Sequence, residues 1–327
     1  MKTTKNYSIL LVLFLISSVV NAQEIEEERA EAKERINDKF PSTRAFDFQM
    51  HQYTPADFDS ELYDKDYQNG KMANYTKLRF AANLPIIKKP KWALTGSLLY
   101  NYSSLKFEDV ENKMNPSLPM FDYKEDFHYF SGTLNSTYFT KLFNKPFIIN
   151  GSVTLDASDK DFGRIKGNVM GTFILKKTDR TRISLGAMVF IDPTAPIPAA
   201  PIFAVEHKFK NNNWTMDFIL PQRLLFKRGL LENGRISIGS EVDGDSFYVS
   251  TDQFGANNMY DFRQLELKTG ITYEYAVGDV IFTVKGGMAN FFQNQLIEKG
   301  KLAKDYVFDL NRKGSGYFTL GVSYNPF

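Results

Sequence analysis

Side chains suited to acid–base or nucleophilic chemistry are few in this chain. Histidine occurs only at His51, His128 and His207, and cysteine is absent. Without cysteine there is no thiol nucleophile, disulfide, Cys-ligated zinc or iron–sulfur cluster, and three histidines argue against a His-rich metal centre. His128 has Ser131 close by in sequence, and His207 sits in Val205-Glu206-His207-Lys208. Neither lies in a nucleophile-elbow pattern or has an obvious Ser and carboxylate to complete a triad. Asp156, Asp159 and Asp161 could face a calcium ion, but their segment lacks the Gly and terminal Glu of an EF-hand loop, so a solvated acidic loop is expected. Gly167, Gly171, Gly286 and Gly287 suit close wall packing or strand bending better than phosphate binding. No catalytic residue, cofactor or metal is expected.

A second set of charged residues has a different character. Lys77, Arg79, Lys208, Arg223, Lys227, Arg235, Lys268 and Lys285 alternate with apolar neighbours, as do Glu206, Asp217, Glu241, Glu266 and Glu274. On strands, every second residue shares a face, so these residues are expected to line one interior. Such a lumen can hold water or knit itself shut with ion pairs.

Period-two alternation begins at Ala45. In residues 262–275, Leu265, Leu267, Ile271, Tyr273 and Tyr275 oppose Gln264, Glu266, Lys268, Thr272 and Glu274. A soluble sandwich alternates too, but the connections separate the cases. Short turn signals at 88–91, 143–146, 177–180, 210–213, 231–234 and 276–279 alternate with longer polar links at 107–126, 157–164, 192–200, 251–261 and 293–312. Turns at one rim and loops at the other describe an up-and-down transmembrane barrel. The spacing predicts strands over 45–53, 76–87, 92–106, 127–142, 147–156, 165–176, 181–191, 201–209, 214–220, 223–230, 235–250, 262–275, 279–292 and 314–326, with 54–74 as the first outer loop. That is an all-β, 14-stranded antiparallel barrel, or 12-stranded if the short pair around Pro221 does not form. Trp92, Tyr273, Tyr275 and Tyr324 are expected in an aromatic belt at the short-turn rim. Tyr100, Tyr102, Tyr129 and Phe292 are expected in a belt at the other.

Residues 1–22 read as a cleaved secretory signal, with Lys2 and Lys5, an apolar run from Ile9 to Val20, and Ala22 before Gln23. Lys2 and Lys5 account for the whole excess of 40 basic over 38 acidic side chains. The mature chain is then neutral, which argues against a nucleic-acid partner. Residues 23–44 are charge-rich and too poor in apolar residues to pack well, so a solvated periplasmic leader, helical or disordered, is expected before the barrel at 45–327. The 29 Phe and 17 Tyr suit a lipid-facing wall, while the alternating polar face keeps the mean hydropathy polar. Phe327 ends the chain with an aromatic residue, out of phase with Tyr324 across Asn325-Pro326.

The chain resembles the outer-membrane β-barrel proteins of Bacteroidota, in particular an uncharacterised group with a domain of unknown function. The likeness spans about residues 45–327. It rests on the export signal ending before Gln23, Tyr53-Thr54-Pro55-Ala56-Asp57-Phe58, Lys91-Trp92-Ala93-Leu94, and Trp214 with Leu220-Pro221-Gln222. Outer-membrane lipids, and the barrel assembly machinery during insertion, are the expected partners, and the resemblance carries no catalytic residue with it. Three functions are open at this stage. One is porin-like passage of small polar solutes; another is a closed barrel that binds or supports through its outer loops; the third is a lipid-modifying enzyme.

Overall fold

The computed structural model describes residues 39–160, 162–195, 197–251 and 258–326. The expected signal peptide, the leader up to residue 38, Asp161 and Phe327 lie outside the described residues. Residues 39–43 contain no strand or helix.

Alternation from Ala45 onward produces strands and one short 3-10 turn. The strands are β1 (Phe46–Tyr53), β2 (Ala56–Leu62), β3 (Lys65–Lys88), β4 (Trp92–Asn112), β5 (Tyr123–Leu142), β6 (Lys145–Ser158), β7 (Phe162–Lys177) and β8 (Thr181–Ile191). They continue with β9 (Ala199–Lys208), β10 (Thr215–Leu220), β11 (Arg223–Gly229), β12 (Gly234–Thr251), β13 (Asn258–Val277), β14 (Val280–Glu298), β15 (Tyr306–Arg312) and β16 (Ser315–Tyr324). From β2 to β15 neighbours in sequence pair antiparallel, and β1 closes the ring by pairing with both β16 and β3. Closure removes the free sheet edges that would otherwise be unsatisfied in lipid. β2 continues β1 beyond Thr54-Pro55, β15 precedes β16 across Lys313-Gly314, and the two pair with each other from Leu62↔Phe308 to Phe58↔Arg312. The ring is therefore 14 strands around, with its first and last strands each broken once. The short β10–β11 pair forms around Pro221-Gln222, which excludes the 12-stranded alternative.

The long links are shorter than the sequence pattern predicts. The expected outer loop at 54–74 is the β2–β3 hairpin, with its turn at Tyr63-Asp64. The expected loop at 293–312 is mostly the end of β14 and all of β15. β4 runs on to Asn112, β6 to Ser158, and β13 begins at Asn258. Inward apolar side chains stabilise these rim extensions: Phe58, Phe107, Tyr260 and Leu310 join one buried cluster.

Outward positions form an apolar band. Phe48, Leu84, Leu98, Leu134, Val153, Val189, Ile271, Val284 and Leu320 are all exposed on the protein alone, as a lipid-facing wall requires. Tyr275 and Tyr324 are outward near the short-turn rim. Tyr129 departs from its expected belt position. It points inward, is buried, and donates to Asp156 at 3.0 Å.

Tight curvature comes from a cross-strand row of glycines, Gly239↔Gly270↔Gly287. A Cβ on Gly270 would stand 2.2 Å from the Gly286 carbonyl oxygen, and one on Gly287 2.1 Å from that of Thr269. Only glycine permits this approach. Beyond the row, the β13–β14 register shifts at Leu265/Glu266, where Phe292 of β14 is the extra residue, and such a bulge increases the local twist of the pair. The outer part of β12 then lies against β5 and β6, which are not its neighbours in the ring.

Candidate functional site

The outer part of the β12–β13 hairpin occupies the lumen. In a simple barrel wall, alternate residues face lipid. Here successive residues Tyr260, Asp261 and Phe262 are 1 %, 0 % and 5 % exposed, so both faces of the hairpin are covered. One face is aromatic: Phe247 stacks on Phe127 of β5 at 4.2 Å between ring centroids and on Phe262 at 4.6 Å. The other face is polar and meets β6, β7 and the link after β8. Tyr248 donates to Asp156 at 2.8 Å, Arg263 donates to Asp192 at 2.8 Å, and Arg164 pairs with Asp261. Lys166 pairs with Asp156 and lies 5.8 Å from the Tyr129 ring centroid and 6.0 Å from that of Tyr248.

Nearer the short-turn rim, the lumen holds a mixed-charge network. Lys77 pairs with Asp245 at 2.9 Å and approaches Glu266 at 3.9 Å. Lys268 bridges Asp243 at 2.8 Å and Glu266 at 3.0 Å, and Tyr53 donates to Glu266 at 2.8 Å. Lys285 meets Glu241 at 2.8 Å. Arg235 meets Glu274 at 2.8 Å, and Arg44 pairs with the same carboxylate. Arg79 stands 3.8 Å from Asp47 and is half exposed. Asp217 is shared by Arg223 at 3.1 Å and by Lys227. Opposite Asp217 and Thr215 in the ladder, Glu206 and Lys208 are exposed on the low wall formed by β9–β11. Buried charges are stable only when paired and hydrogen-bonded, and this lattice meets that condition through side chains from opposite parts of the ring.

Sequence reasoning missed Arg44, Asp243, Asp245, Asp261, Arg263, Arg164 and Asp192. Arg44 lay in the expected leader, and Asp192, Arg164 and Asp261 in expected loops. Asp243 and Asp245 continue the inward parity of Glu241 along β12, and that signal could have found them. Asp156 is no solvated loop acid: it is buried and accepts from Tyr129, Tyr248 and the Arg164 backbone N–H. Among the described residues, no group of three His, Asp or Glu could hold a metal ion. His51 is buried with Nδ1 2.9 Å from Thr319 Oγ1. His128 Nδ1 lies 2.9 Å from the Tyr100 hydroxyl, and His207 Nδ1 lies 2.8 Å from Thr181 Oγ1. Ser131 shares the parity of inward Tyr129, while His128 shares that of outward Phe130, so the two lie on opposite faces of β5.

At the long-loop rim, β2 and β15 turn polar residues outward and so stand clear of the apolar band. Lys313 donates to Asp57 at 2.9 Å, and this hydrogen bond, with the ammonium charge, holds the Asp57 carboxyl below its usual range. Asp309 lies directly across the ladder from Glu61. Burial, then the Glu61 charge, push its carboxyl above the usual range.

No protein-family model and no curated protein sequence matches the chain. Among solved structures, an outer membrane channel from Pseudomonas putida F1 is 10% identical with a TM-score of 0.36, covering 88% of this chain and 98% of that one. The transport unit of the autotransporter AIDA-I from Escherichia coli is 11% identical with a TM-score of 0.37, covering 87% and 91%. The outer membrane protease OmpT from Escherichia coli is 9% identical with a TM-score of 0.29, covering 85% and 96%.

Proposed function

We propose that the chain is an outer-membrane barrel held shut by its own β12–β13 hairpin, and that it acts through its long-loop rim as a binding surface. The observation that carries this reading is the burial of both faces of the hairpin, from Phe247 and Tyr248 across to Tyr260, Asp261 and Phe262. A water-filled porin lumen leaves its inner side chains wet. Here Tyr53, Lys77, Glu266 and Lys268 are buried. The apolar band, the ring closure and the export-type N-terminus support placement in the outer membrane after cleavage of residues 1–22. The short turns then face the periplasm, lipids surround the band, and the assembly machinery inserts the chain. The resemblance to Bacteroidota barrels of unknown function supports the same compartment. Planar-bilayer recording of the refolded mature protein tests closure. Silence in several lipids is expected, and a steady open-pore conductance would overturn it.

One observation favours porin-like passage as a second reading. The hairpin is fastened largely by ion pairs and hydrogen bonds beyond a bend at the glycine row, so its release would expose a charged channel. Brief, voltage-driven openings in the same recording would support that reading over a permanently closed barrel.

A further inference from the structure

The ladder on one side of β14 is interrupted. β14 pairs with β16 as far as Ala289↔Ser315, and pairing resumes with β15 only at Gln295↔Asp309. A cleft of about 190 Å³ opens at this seam, smaller than the roughly 300–1,000 Å³ of drug-sized sites. Its lining includes residues from both faces of the wall, so it cuts into the barrel instead of lying on it. Four carboxylates frame it: Asp59 and Glu61 on β2, Asp66 on β3, and Asp309 on β15.

Asn294 supplies a second, independent observation. It lines the cleft, is 3 % exposed, and donates through Nδ2 to the Leu310 carbonyl at 3.0 Å. That bond fixes which end of the amide is nitrogen. Its Oδ1 is buried with no hydrogen-bond partner, and a buried acceptor left without a donor is costly. The cleft thus offers acceptors and negative charge, and it wants donors and positive charge. The aromatic side chains of Phe291 and Phe292 add apolar lining and suit the hydrocarbon part of a cation. Arg312 stands on the lumen side of Phe291, with its guanidinium carbon 4.4 Å from the ring centroid. Among the described residues, no Lys or Arg lines the cleft itself. No three of these carboxylates converge tightly enough to ligate a metal ion, which separates an organic cation from a bare divalent one.

We propose that this seam binds a compact organic ammonium ion, with its N–H groups shared between Asn294 Oδ1 and the Asp309 and Glu61 carboxylates. The proposal deepens the reading of the rim as a binding surface by naming its ligand class. Conductance tests closure separately, so a conducting barrel that still binds would defeat only that reading, and a silent one that does not bind would defeat only this site. The probe is 1,4-diaminobutane, titrated calorimetrically into the full mature chain in detergent at physiological salt, with 1,4-butanediol as the neutral isostere. Saturable one-to-one binding of the diamine and none of the diol is expected. Asp309→Asn and Glu61→Gln should each weaken it by about tenfold, the scale of one charge-assisted hydrogen bond. Asn294→Ser should weaken it without changing charge, while Glu111→Gln, away from the cleft, should leave it unchanged. Glu61 is exposed, so its variant tests the site even if Asn294→Ser fails to fold. Equal binding of the diol, indifference to Glu61→Gln, or stronger binding of calcium at the same residues would overturn the proposal.

Discussion

Tyr248 and Asp156 join opposite parts of the ring: the phenol of β12 donates to the carboxylate of β6 at 2.8 Å, 92 residues away in the chain. That contact makes the hairpin a plug as well as a piece of wall. Asp156 also pairs with Lys166 and accepts from Tyr129, so one carboxylate holds three elements. Asp156→Ala should release the hairpin and leave Lys166 unpaired, at a cost of about 3–5 kcal/mol. Bilayer recordings should then show openings that the parent protein lacks, and the folded band on gels should melt at lower temperature.

The network around Glu266 should be non-additive. Lys77→Met removes the partner of Asp245 but leaves Glu266 its bond to Lys268. A loss of about 3 kcal/mol is expected, and Lys77→Met with Asp245→Leu together should cost less than either alone, because no charge is left stranded. Denaturant unfolding in detergent, run as a double-mutant cycle, measures this coupling.

Gly270→Val should block assembly. Its Cβ would meet the Gly286 carbonyl oxygen at 2.2 Å, and backbone in a closed ladder cannot yield. The expected result is a failure to develop heat-modifiable migration on gels after refolding. Gly278→Ala is the control: it has open space around it, and its left-handed φ of +58° should cost only local strain.

Acid should affect the rim in two linked ways. Asp309 is raised in the folded state by burial and by Glu61, so folding favours its protonated form. Its ionised form destabilises the rim above the folded value. That cost is relieved as pH falls through the folded value and is fully gone below the unfolded one. Hydrogen exchange in β15 should therefore slow as pH falls through this window, after correction for intrinsic rates. Diamine binding, which needs the ionised carboxylate, should weaken over the same window. Asp59, Glu61 and Asp66 also line the cleft, with Arg312 at the end of β15 and Lys313 just beyond it, so Asp309→Asn is the arm that assigns the effect.

Rim and wall differed in legibility for a physical reason. In the wall, lipid demands apolar residues outside and the lumen accepts polar ones, and 262–275 displays that alternation plainly. At the rim the sense reverses. Ala56, Phe58 and Ser60 of β2 are buried while Asp57, Asp59 and Glu61 are exposed, so the segment reads as a polar loop. β15 misleads in the same way, with Leu310 buried and Asn311 exposed.

By itself, the sequence determined the period, the alternation of short and long links and the inward face of charges such as Lys77, Glu266 and Lys268, because these depend on local alternation and turn chemistry; the β10–β11 pair in the structure decided 14 strands over 12. Only the tertiary structure decided that the lumen is filled. Whether Lys77 meets water or Asp245 depends on where β12 lies relative to β3, residues far apart in the chain. A bend at a glycine row and the burial of an aromatic hairpin set that distance, and no local pattern encodes it.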